Sequence, residues 1–241
     1  MTASKRFKRA RLRALAGQRK RDTSFRPRYT NLADHQDGYY ECPHVSPFTL
    51  SARNVEADVF VMLQDWSSSE WLNRNRSAVV RAHGHEPSLP TNRRLQQYLL
   101  RYLGVPLAGT YATNLFPFVK PGPLSQKIPQ RVLTRAARCY AMPQVRRVGP
   151  TTVVCLGLQT YNAVRESLGR APYRAFRNAL RWPTQNGATT FFCVPHTGAL
   201  GELGSVRYSK QPSGHWWRQV ARHCERHRRS AAAPAGSGDR R

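Results

Sequence analysis

The stretch DVFVMLQDW, residues 58–66, decides how the rest of the chain is interpreted. Its centre, Val59 to Leu63, is a continuous apolar run rich in β-branched side chains, which is typical of a strand buried on both faces. We therefore predict a central strand over residues 58–64. This strand delivers the carboxylate of Asp65 to its carboxyl end, the edge where ligands bind in open α/β sheets.

Three further segments have the length of buried strands, and segments with helical periodicity separate them. We predict these strands at residues 109–115, 152–156 and 189–194. The resulting β-α-β-α-β-α-β order favours an α/β domain with three α/β/α layers around a four-stranded, mainly parallel sheet.

The sequence divides into a central domain and two basic ends. Residues 1–29 are basic and lack apolar periodicity, so we expect a disordered arm with at most a marginal helix at residues 9–16. Residues 30–227 should form one α/β domain, in which residues 30–54 pack irregularly over the core. Residues 228–241 are rich in Ala, Gly, Ser and Arg, and we expect a disordered basic tail.

The charge balance indicates a polyanionic partner. The 241 residues include 39 Lys and Arg against 13 Asp and Glu, a net charge of +26. Arginine supplies 33 of these cations and lysine only 6, and the guanidinium fork matches phosphate bidentately. Residues 1–30 contribute +10 and residues 214–241 contribute +5, which leaves +11 for the centre of the chain. We therefore expect nucleic acid to be the partner.

The cysteines and the hydropathy of the sequence indicate the cellular compartment in which the protein is expected. The five cysteines are scattered without a C-x-x-C pair, and Cys155 and Cys193 lie inside apolar strand runs, which favours reduced, buried thiols. We find no apolar run long enough for a membrane span and no secretory signal. The Arg-rich N-terminus fits a nucleic-acid-binding arm, with a mitochondrial transit peptide as the alternative. We expect a cytoplasmic, nucleoid-associated monomer, or a nuclear or mitochondrial protein in a eukaryote.

Polar side chains follow three of the four predicted strands. Asp65, Asn114 and His196 stand at or after the ends of the first, second and fourth strands, and Gly157 follows the third and permits close approach of a ligand. Each alone has an ordinary explanation: Asp65 as a helix cap, Asn114 as part of an Asx-turn and His196 as a structural histidine. Together, at one sheet edge of a strongly basic protein, they favour a binding or catalytic site.

A second group, His83, His85 and Glu86, superficially resembles a set of metal ligands. The three residues lie close together on a Gly/Pro loop without a further partner, so the solvated loop is the better interpretation. We predict no metal site.

The group formed by Asp65, Asn114 and His196 suits chemistry on a nucleotide. The Asn114 amide offers a donor and an acceptor to the edge of a pyrimidine. A histidine near a carbonyl oxygen stabilises charge on a leaving base, and a carboxylate near the sugar orients water and stabilises an oxocarbenium-like centre. Leu200, on the same Gly-bearing loop as His196, is placed to fill the space left by an extruded nucleotide.

From about Val55 to His227 the chain resembles the uracil-DNA glycosylase superfamily. Gln64-Asp65 resembles the water-activating GQDPY motif, and YATNL at residues 111–115 resembles the strand motif whose Asn reads uracil. VVCLG at residues 153–157 resembles V-V-x-L-G, and HTGAL at residues 196–200 resembles H-P-S-P-L. The resemblance implies catalytic roles for Asp65 and His196, substrate contacts for Gln64, Trp66, Asn114 and Gly157, and DNA contacts for Lys120, Thr197, Gly198 and Leu200.

The motifs also depart from the family pattern. Leu63 replaces the motif glycine, Trp66 replaces the proline, and Ser67 stands where classical members place the tyrosine that excludes thymine. Trp66 is the candidate for stacking on the base, with a core tryptophan as an equal alternative. One branch carries a four-cysteine iron–sulfur cluster, but its C-x-x-C pair is missing here, so we expect no cluster and no cofactor.

The interpretation that follows is a monofunctional DNA glycosylase of base excision repair. It would flip uracil or a related deaminated base from single- or double-stranded DNA and hydrolyse its N-glycosidic bond. The main alternative is a nucleic-acid-binding protein that keeps the fold but has lost or changed the chemistry. An RNA-associated basic protein with an unrelated α/β core would explain the charge but not the convergence of polar residues.

Overall fold

Apolar runs long enough for a strand but too short for a helix form the centre of the molecule. The computed structural model describes residues 2–232. Its strands are β1 (Val59–Asp65), β2 (Tyr111–Phe116), β3 (Thr152–Leu156), β4 (Thr184–Asn186) and β5 (Thr189–Val194). Residues at the centre of β1, including Phe60 and Met62, are fully buried. The four predicted strands are therefore confirmed, with ends shifted by at most two residues.

The sheet has five strands in the order β2-β1-β3-β5-β4, so the expected count of four is wrong. Strands β1, β2, β3 and β5 are parallel, and β4 pairs antiparallel with β5. The extra strand is only three residues long and lies in a basic, turn-rich connection. It pairs through a tight hairpin at Gly187, whose positive φ of 59° suits glycine, and such a short edge strand gives no periodic signal.

The strand order creates a crevice at the carboxyl ends of β1 and β3. These strands are neighbours, but the chain leaves β1 toward β2 and leaves β3 toward β5, in opposite directions across the sheet. The connections after the two strands therefore diverge to opposite faces, which opens a crevice between the strand ends. Asp65 ends β1 and Gly157 follows β3, so both residues border this crevice.

Helices cover the sheet in groups. The helices are α1 (Ala3–Arg21), α2 (Ser69–Arg74), α3 (Ala78–His83), α4 (Pro90–Tyr98), α5 (Gln130–Ala136), α6 (Met142–Val148), α7 (Leu158–Ser167), α8 (Phe176–Arg181), α9 (Ala199–Ser209) and α10 (Ser213–Ala232). A π-helical turn extends α4 through residues 99–103, and another joins α5 to α6. Helix α5 packs on α7, whereas α10 packs on residues 99–103. This arrangement is compatible with three α/β/α layers.

The prediction of a disordered arm is wrong for most of residues 1–29. Helix α1 covers residues 3–21 and buries Leu12, Leu15 and Ala16 in the main hydrophobic core. These positions, with Arg19, follow the i, i+3, i+4, i+7 spacing of one helix face. The density of positive charge conceals this short apolar stripe in the sequence, and α1 therefore belongs to the folded domain.

The other domain expectations have mixed outcomes. Residues 30–54 contain isolated 3₁₀ turns and a single β-bridge from Thr30 to Val119, as expected of irregular structure, and bury Leu32 and Tyr40 in a second hydrophobic cluster. The expected tail from residue 228 is wrong for its first part, because α10 continues to Ala232. The rest of that tail, residues 233–241, lies outside the described residues. Among the described residues, no helix combines the length and the apolar character needed to cross a membrane.

Candidate functional site

The crevice between β1 and β3 holds a cleft of about 300 Å³. Asp65 lines it from the end of β1, Gly157 from the start of α7, and His196 from the loop after β5. Gln64 lines it as well. Parallel strands bring these separate segments together because their carboxyl ends meet at one sheet edge. The structure therefore places a carboxylate and an imidazole on one small cavity.

Both carboxylate oxygens of Asp65 are held in place. The side-chain amide of Gln64 donates to Oδ1 at 3.0 Å, and Lys120 Nζ lies 2.7 Å from Oδ2 in an ion pair. The Lys120 side chain is only 5% exposed and also donates to the carbonyl of Leu124. These contacts fix the orientation of the carboxylate. A carboxylate has about four acceptor positions, so Asp65 retains capacity for a water or a sugar hydroxyl.

A backbone hydrogen bond assigns the tautomer of His196. The amide N–H of Gly198 donates to His196 Nδ1 at 3.0 Å. Nδ1 therefore acts as an acceptor, and in the neutral ring the proton resides on Nε2. The guanidinium of Arg94 donates to the carbonyl of Thr197 at 2.7 Å and steadies the same loop. The site thus carries a neutral imidazole with an N–H donor on Nε2.

The surroundings of His196 favour this neutral form. The ring keeps access to solvent, but its partial loss of water lowers its pKa below 6.5, while the carboxylates of Asp65 and Glu202 oppose the shift. Protonation of Nδ1 would also break the hydrogen bond from Gly198. The folded chain binds this proton less readily than the unfolded chain. The associated stability is therefore present above pH 6.5 and is lost as the pH falls below it.

We expect an NMR titration of the His196 ring to give a midpoint below 6.5. Asp65→Asn should lower the midpoint further, because it removes a negative charge that favours the imidazolium. Asp58→Asn is the matched control, since Asp58 precedes the same strand at its opposite end. This control should leave the midpoint unchanged. A wild-type midpoint at or above 6.5 would contradict the described environment.

Gly201 allows α9 to begin directly against His196. A Cβ atom at Gly201 would lie 2.0 Å from the carbonyl oxygen of His196, a distance that forces one of the two backbones to move. A Cβ at Gly204, one turn later in the same helix, would meet only the Tyr208 ring at 3.8 Å. The glycine at position 201 is therefore required by the approach of α9 to the site.

Gly201→Ala should lower the free energy of unfolding by about 1–3 kcal/mol, the usual effect of overpacking. Gly204→Ala should leave it unchanged or raise it by about 0.5–1 kcal/mol, because alanine favours a helix interior over glycine. Urea unfolding of both variants measures the difference. Equal effects at the two positions would show that α9 does not pack against His196 as described.

Gly157 supplies an open backbone position beside Asp65 and His196. Its φ of +89° is one that side chains rarely adopt, and no atom lies within 4 Å of the position that a Cβ would occupy. Its N–H donates to the carbonyl of Val194 at 2.8 Å, which ties the start of α7 to β5. Glycine is thus required here by conformation, and its missing side chain keeps the cleft open.

Asn114 does not line the cleft. It is in register with Leu63 and on the same face as Asp65, because side chains alternate along a strand. Its side chain is fully buried and donates from Nδ2 to the Ser46 hydroxyl at 3.2 Å. Its amide oxygen is buried without a hydrogen-bond partner. The expectation that three polar groups line one pocket therefore holds for Asp65 and His196 only.

The residues predicted to contact DNA also differ in their exposure. The side chains of Lys120 and Thr197 are buried and do not reach the surface, so their contact with DNA stays a prediction. The Gly198 N–H already bonds His196, whereas Leu200 is 86% exposed at the start of α9. Leu200 is therefore the predicted contact that the structure leaves available.

Trp66 lies with the second hydrophobic cluster. Its ring packs edge-on against Tyr40 and Trp71, and its indole N–H donates to the carbonyl of Gly84 at 2.7 Å. Trp66 is not among the residues that line the cleft. Of the two alternatives for this residue, the core tryptophan fits these contacts.

Ser46, Arg94 and Glu202 contribute to the site region but are absent from the sequence prediction. Ser46 accepts from both the backbone and the side chain of Asn114, and Glu202 accepts from the Tyr98 hydroxyl at 2.9 Å. Arg94 reaches the His196 loop from α4. All three act across long sequence separations, and none belongs to a local motif, so no signal in the sequence marks them.

The histidine loop shows ring packing. His85 stacks on Phe48 with ring centroids 5.3 Å apart. The His83 ring packs edge-on against the His85 ring, with centroids 6.1 Å apart. Within residues 2–232, no three His, Cys, Asp or Glu side chains are grouped so that they could hold a metal ion. The absence of a cofactor stays a prediction.

No protein-family model and no curated protein sequence matches this chain. The resemblance to the uracil-DNA glycosylase superfamily therefore depends on the short motifs quoted above. Three of these motifs, those that contain Asp65, Gly157 and His196, meet in the structure at the same cleft.

Proposed function

We propose that this protein is a DNA glycosylase, a hydrolase that removes uracil or a related deaminated base from DNA. One observation carries the proposal. The carboxylate of Asp65 and the imidazole of His196 face one cleft at the carboxyl edge of a parallel sheet. Hydrolysis of an N-glycosidic bond needs a carboxylate at the sugar and a hydrogen-bond donor at the leaving base, and the cleft offers one of each.

The two side chains would act on opposite sides of the breaking bond. Asp65 orients a water toward the anomeric carbon and stabilises its positive charge as the bond to the base lengthens. The bonding electrons pass to the base, and His196 donates a hydrogen bond from Nε2 to the carbonyl oxygen where negative charge collects. The water oxygen then bonds to the sugar and loses a proton, and the base takes up a proton on release, so that one water is consumed.

Asn114 would read the base edge only after a local movement. Its buried amide oxygen lacks a partner, and one Nδ2 hydrogen remains beside the bond to Ser46. An acceptor and a donor are therefore available for a bidentate contact with uracil. Because the side chain is closed off from the cleft, the segment that carries Ser46 must shift for the base to reach it.

The charge and the exposed leucine support DNA as the substrate. The chain carries a net charge of +26, and electrostatic attraction to phosphate supplies most of the sequence-independent affinity for DNA. Leu200 stands four residues after His196 and is 86% exposed. A leucine in this position can fill the gap that an extruded nucleotide leaves in the stack.

One observation favours the alternative, a binding protein on the same fold. Both oxygens of Asp65 already have partners, and the Lys120 partner is nearly fully buried. A carboxylate held in this way is a weaker base for water, and a protein that had lost its chemistry could retain such a pair as a structural contact.

Incubation of the protein with end-labelled oligonucleotides that carry uracil, hypoxanthine or xanthine tests the proposal. Abasic sites, revealed by alkaline strand cleavage, should form at the position of at least one of these bases and should not form in an undamaged oligonucleotide. Tight binding with every base left intact would contradict the enzyme and favour the binding protein. Single- and double-stranded forms of each substrate belong in the same assay.

A further inference from the structure

A second groove of about 760 Å³ adjoins the cleft. The two share Gly157, Leu158 and His196, so a chain bound in the cleft would continue directly into the groove. Helices α8 and α9 form its walls, with Arg174 and Arg177 from the region of α8 and Arg207 from α9. This groove extends from the cleft that holds Asp65 toward α8 and α9.

One face of α9 forms an open wall of the groove. Leu200, Gly201, Gly204, Arg207 and Tyr208 line it at the i, i+1, i+4, i+7, i+8 spacing of a single helix face. The two glycines add no side chains to this wall, while Tyr208 is 57% exposed. The Tyr208 ring is therefore exposed on a helix surface that carries few side chains.

The arginines of the groove are free to bind an external anion. Arg174, Arg177 and Arg207 are all exposed. In the described part of the chain, no acidic side chain forms an ion pair with any of them. The guanidinium of Arg207 lies 5.4 Å from the centre of the Tyr208 ring, which places positive charge and an aromatic surface side by side.

We propose that this groove binds the unpaired nucleotides that adjoin the target nucleotide in a single strand. The arginines would pair with successive phosphates, and Tyr208 would stack on a neighbouring base. Stacking requires a base whose face is free, and a base-paired duplex does not offer one, so the chemistry favours a single strand. The inference uses the proposed function to place the target nucleotide in the cleft, but the binding itself needs no cleavage.

The test measures the binding of labelled oligothymidine and of an undamaged hairpin duplex by fluorescence anisotropy across a range of salt concentrations. The double variant Arg174→Ala/Arg177→Ala should flatten the slope of log K against log salt for the single strand by about 1.4, because each phosphate contact contributes about 0.7. Tyr208→Ala should weaken single-strand binding by about 5- to 150-fold, with little change in slope. Hairpin affinity should change by less than about threefold in both variants.

The matched control is Arg226→Ala/Arg229→Ala, which removes two exposed arginines from α10. Nearby residues of α10, including His227, line a cleft with Asp58 and Thr151 at the opposite sheet edge. The control should keep the wild-type slope for the single strand. Thermal unfolding of each variant confirms that the fold is retained, and all five substituted positions are exposed.

Three results would overturn the inference. They are an unchanged single-strand slope in the Arg174/Arg177 variant, an equal loss of hairpin affinity, and binding of an acidic peptide as tightly as oligothymidine. Failure of the glycosylase proposal is a separate result, because these ligands contain no damaged base. A protein that releases no base but loses single-strand affinity on groove substitution would retain the inference and lose the enzyme.

Discussion

His196→Ala should slow single-turnover cleavage of a uracil-containing oligonucleotide by about 10²–10³-fold, the usual effect of removing one donor to a developing anion. The structure gives the physical reason. Gly198 occupies Nδ1 at 3.0 Å and leaves the Nε2 proton for the substrate. The pKa of the ring is lowered, so the neutral donor persists at neutral pH. Affinity for the intact oligonucleotide should change little, because this hydrogen bond strengthens only as the base departs.

The control for this substitution is His227→Ala. His227 is also exposed, but it lines the cleft at the opposite sheet edge beside Asp58. Its loss should leave the cleavage rate within about twofold of wild type. A His196→Ala protein that cleaves as fast as the control would remove His196 from the mechanism and leave the leaving base without a donor.

Glu41→Ala should lower the free energy of unfolding by about 3–5 kcal/mol, because it leaves the charge of Arg19 buried without its partner. The Arg19 side chain is 0% exposed and donates to both oxygens of Glu41, at 2.6 and 2.7 Å. Burial alone would raise the pKa of Glu41, but hydrogen bonds from Arg19 and its charge hold that pKa below the usual value. The pair fastens α1 to the irregular segment that precedes β1.

Glu56→Ala provides the matched control for Glu41→Ala. Glu56 also pairs with a cation of α1, Lys5, but both side chains are substantially exposed. Loss of an exposed pair changes stability by about 0–1 kcal/mol. Urea unfolding of both variants measures the two changes in the free energy of unfolding. A change below about 1 kcal/mol for Glu41→Ala would indicate that α1 is not docked as described.

The parallel strands could be predicted because their signal is local. The clearest runs consist of consecutive apolar residues that a two-sided burial explains, as at residues 59–63 and 153–156. The strand β4 lacks such a run, since two of its three residues are exposed and only pairing with β5 defines it. A strand of this kind is determined by its neighbour, so the sequence alone does not reveal it.

The N-terminal helix shows how tertiary contacts override composition. Its sequence is dominated by basic side chains, and the prediction of disorder followed from their number. The structure buries one of these cations, Arg19, completely and offsets its charge with Glu41. A buried arginine can be recognised only when its carboxylate partner is known, and here that partner lies outside the helix.

The positions of Asp65 and His196 could be predicted from the ends of the strands, but the ion-pair and hydrogen-bond partners of the site residues could not. Asp65 and His196 meet because parallel strands align their carboxyl ends, a rule that needs only the order of elements. The ion pair of Asp65 with Lys120 and the bond of Asn114 to Ser46 depend on how loops fold over that edge. Loop positions follow from tertiary packing, which local sequence patterns do not reveal. For this reason the sequence-based prediction gave Lys120 a DNA contact and Asn114 a place on the cleft, without the partners that the structure shows.

The central claim is that the cleft between β1 and β3 hydrolyses an N-glycosidic bond with Asp65 at the sugar. The measurement that tests it most directly is the single-turnover release of free uracil from a labelled oligonucleotide, with binding measured in parallel. Wild type and Asp58→Asn should release the base at equal rates. Asp65→Asn should bind the oligonucleotide as tightly but release the base at least about tenfold more slowly, because the carboxylate acts in the transition state. Release at the wild-type rate by Asp65→Asn, or no release by wild type, would contradict the account.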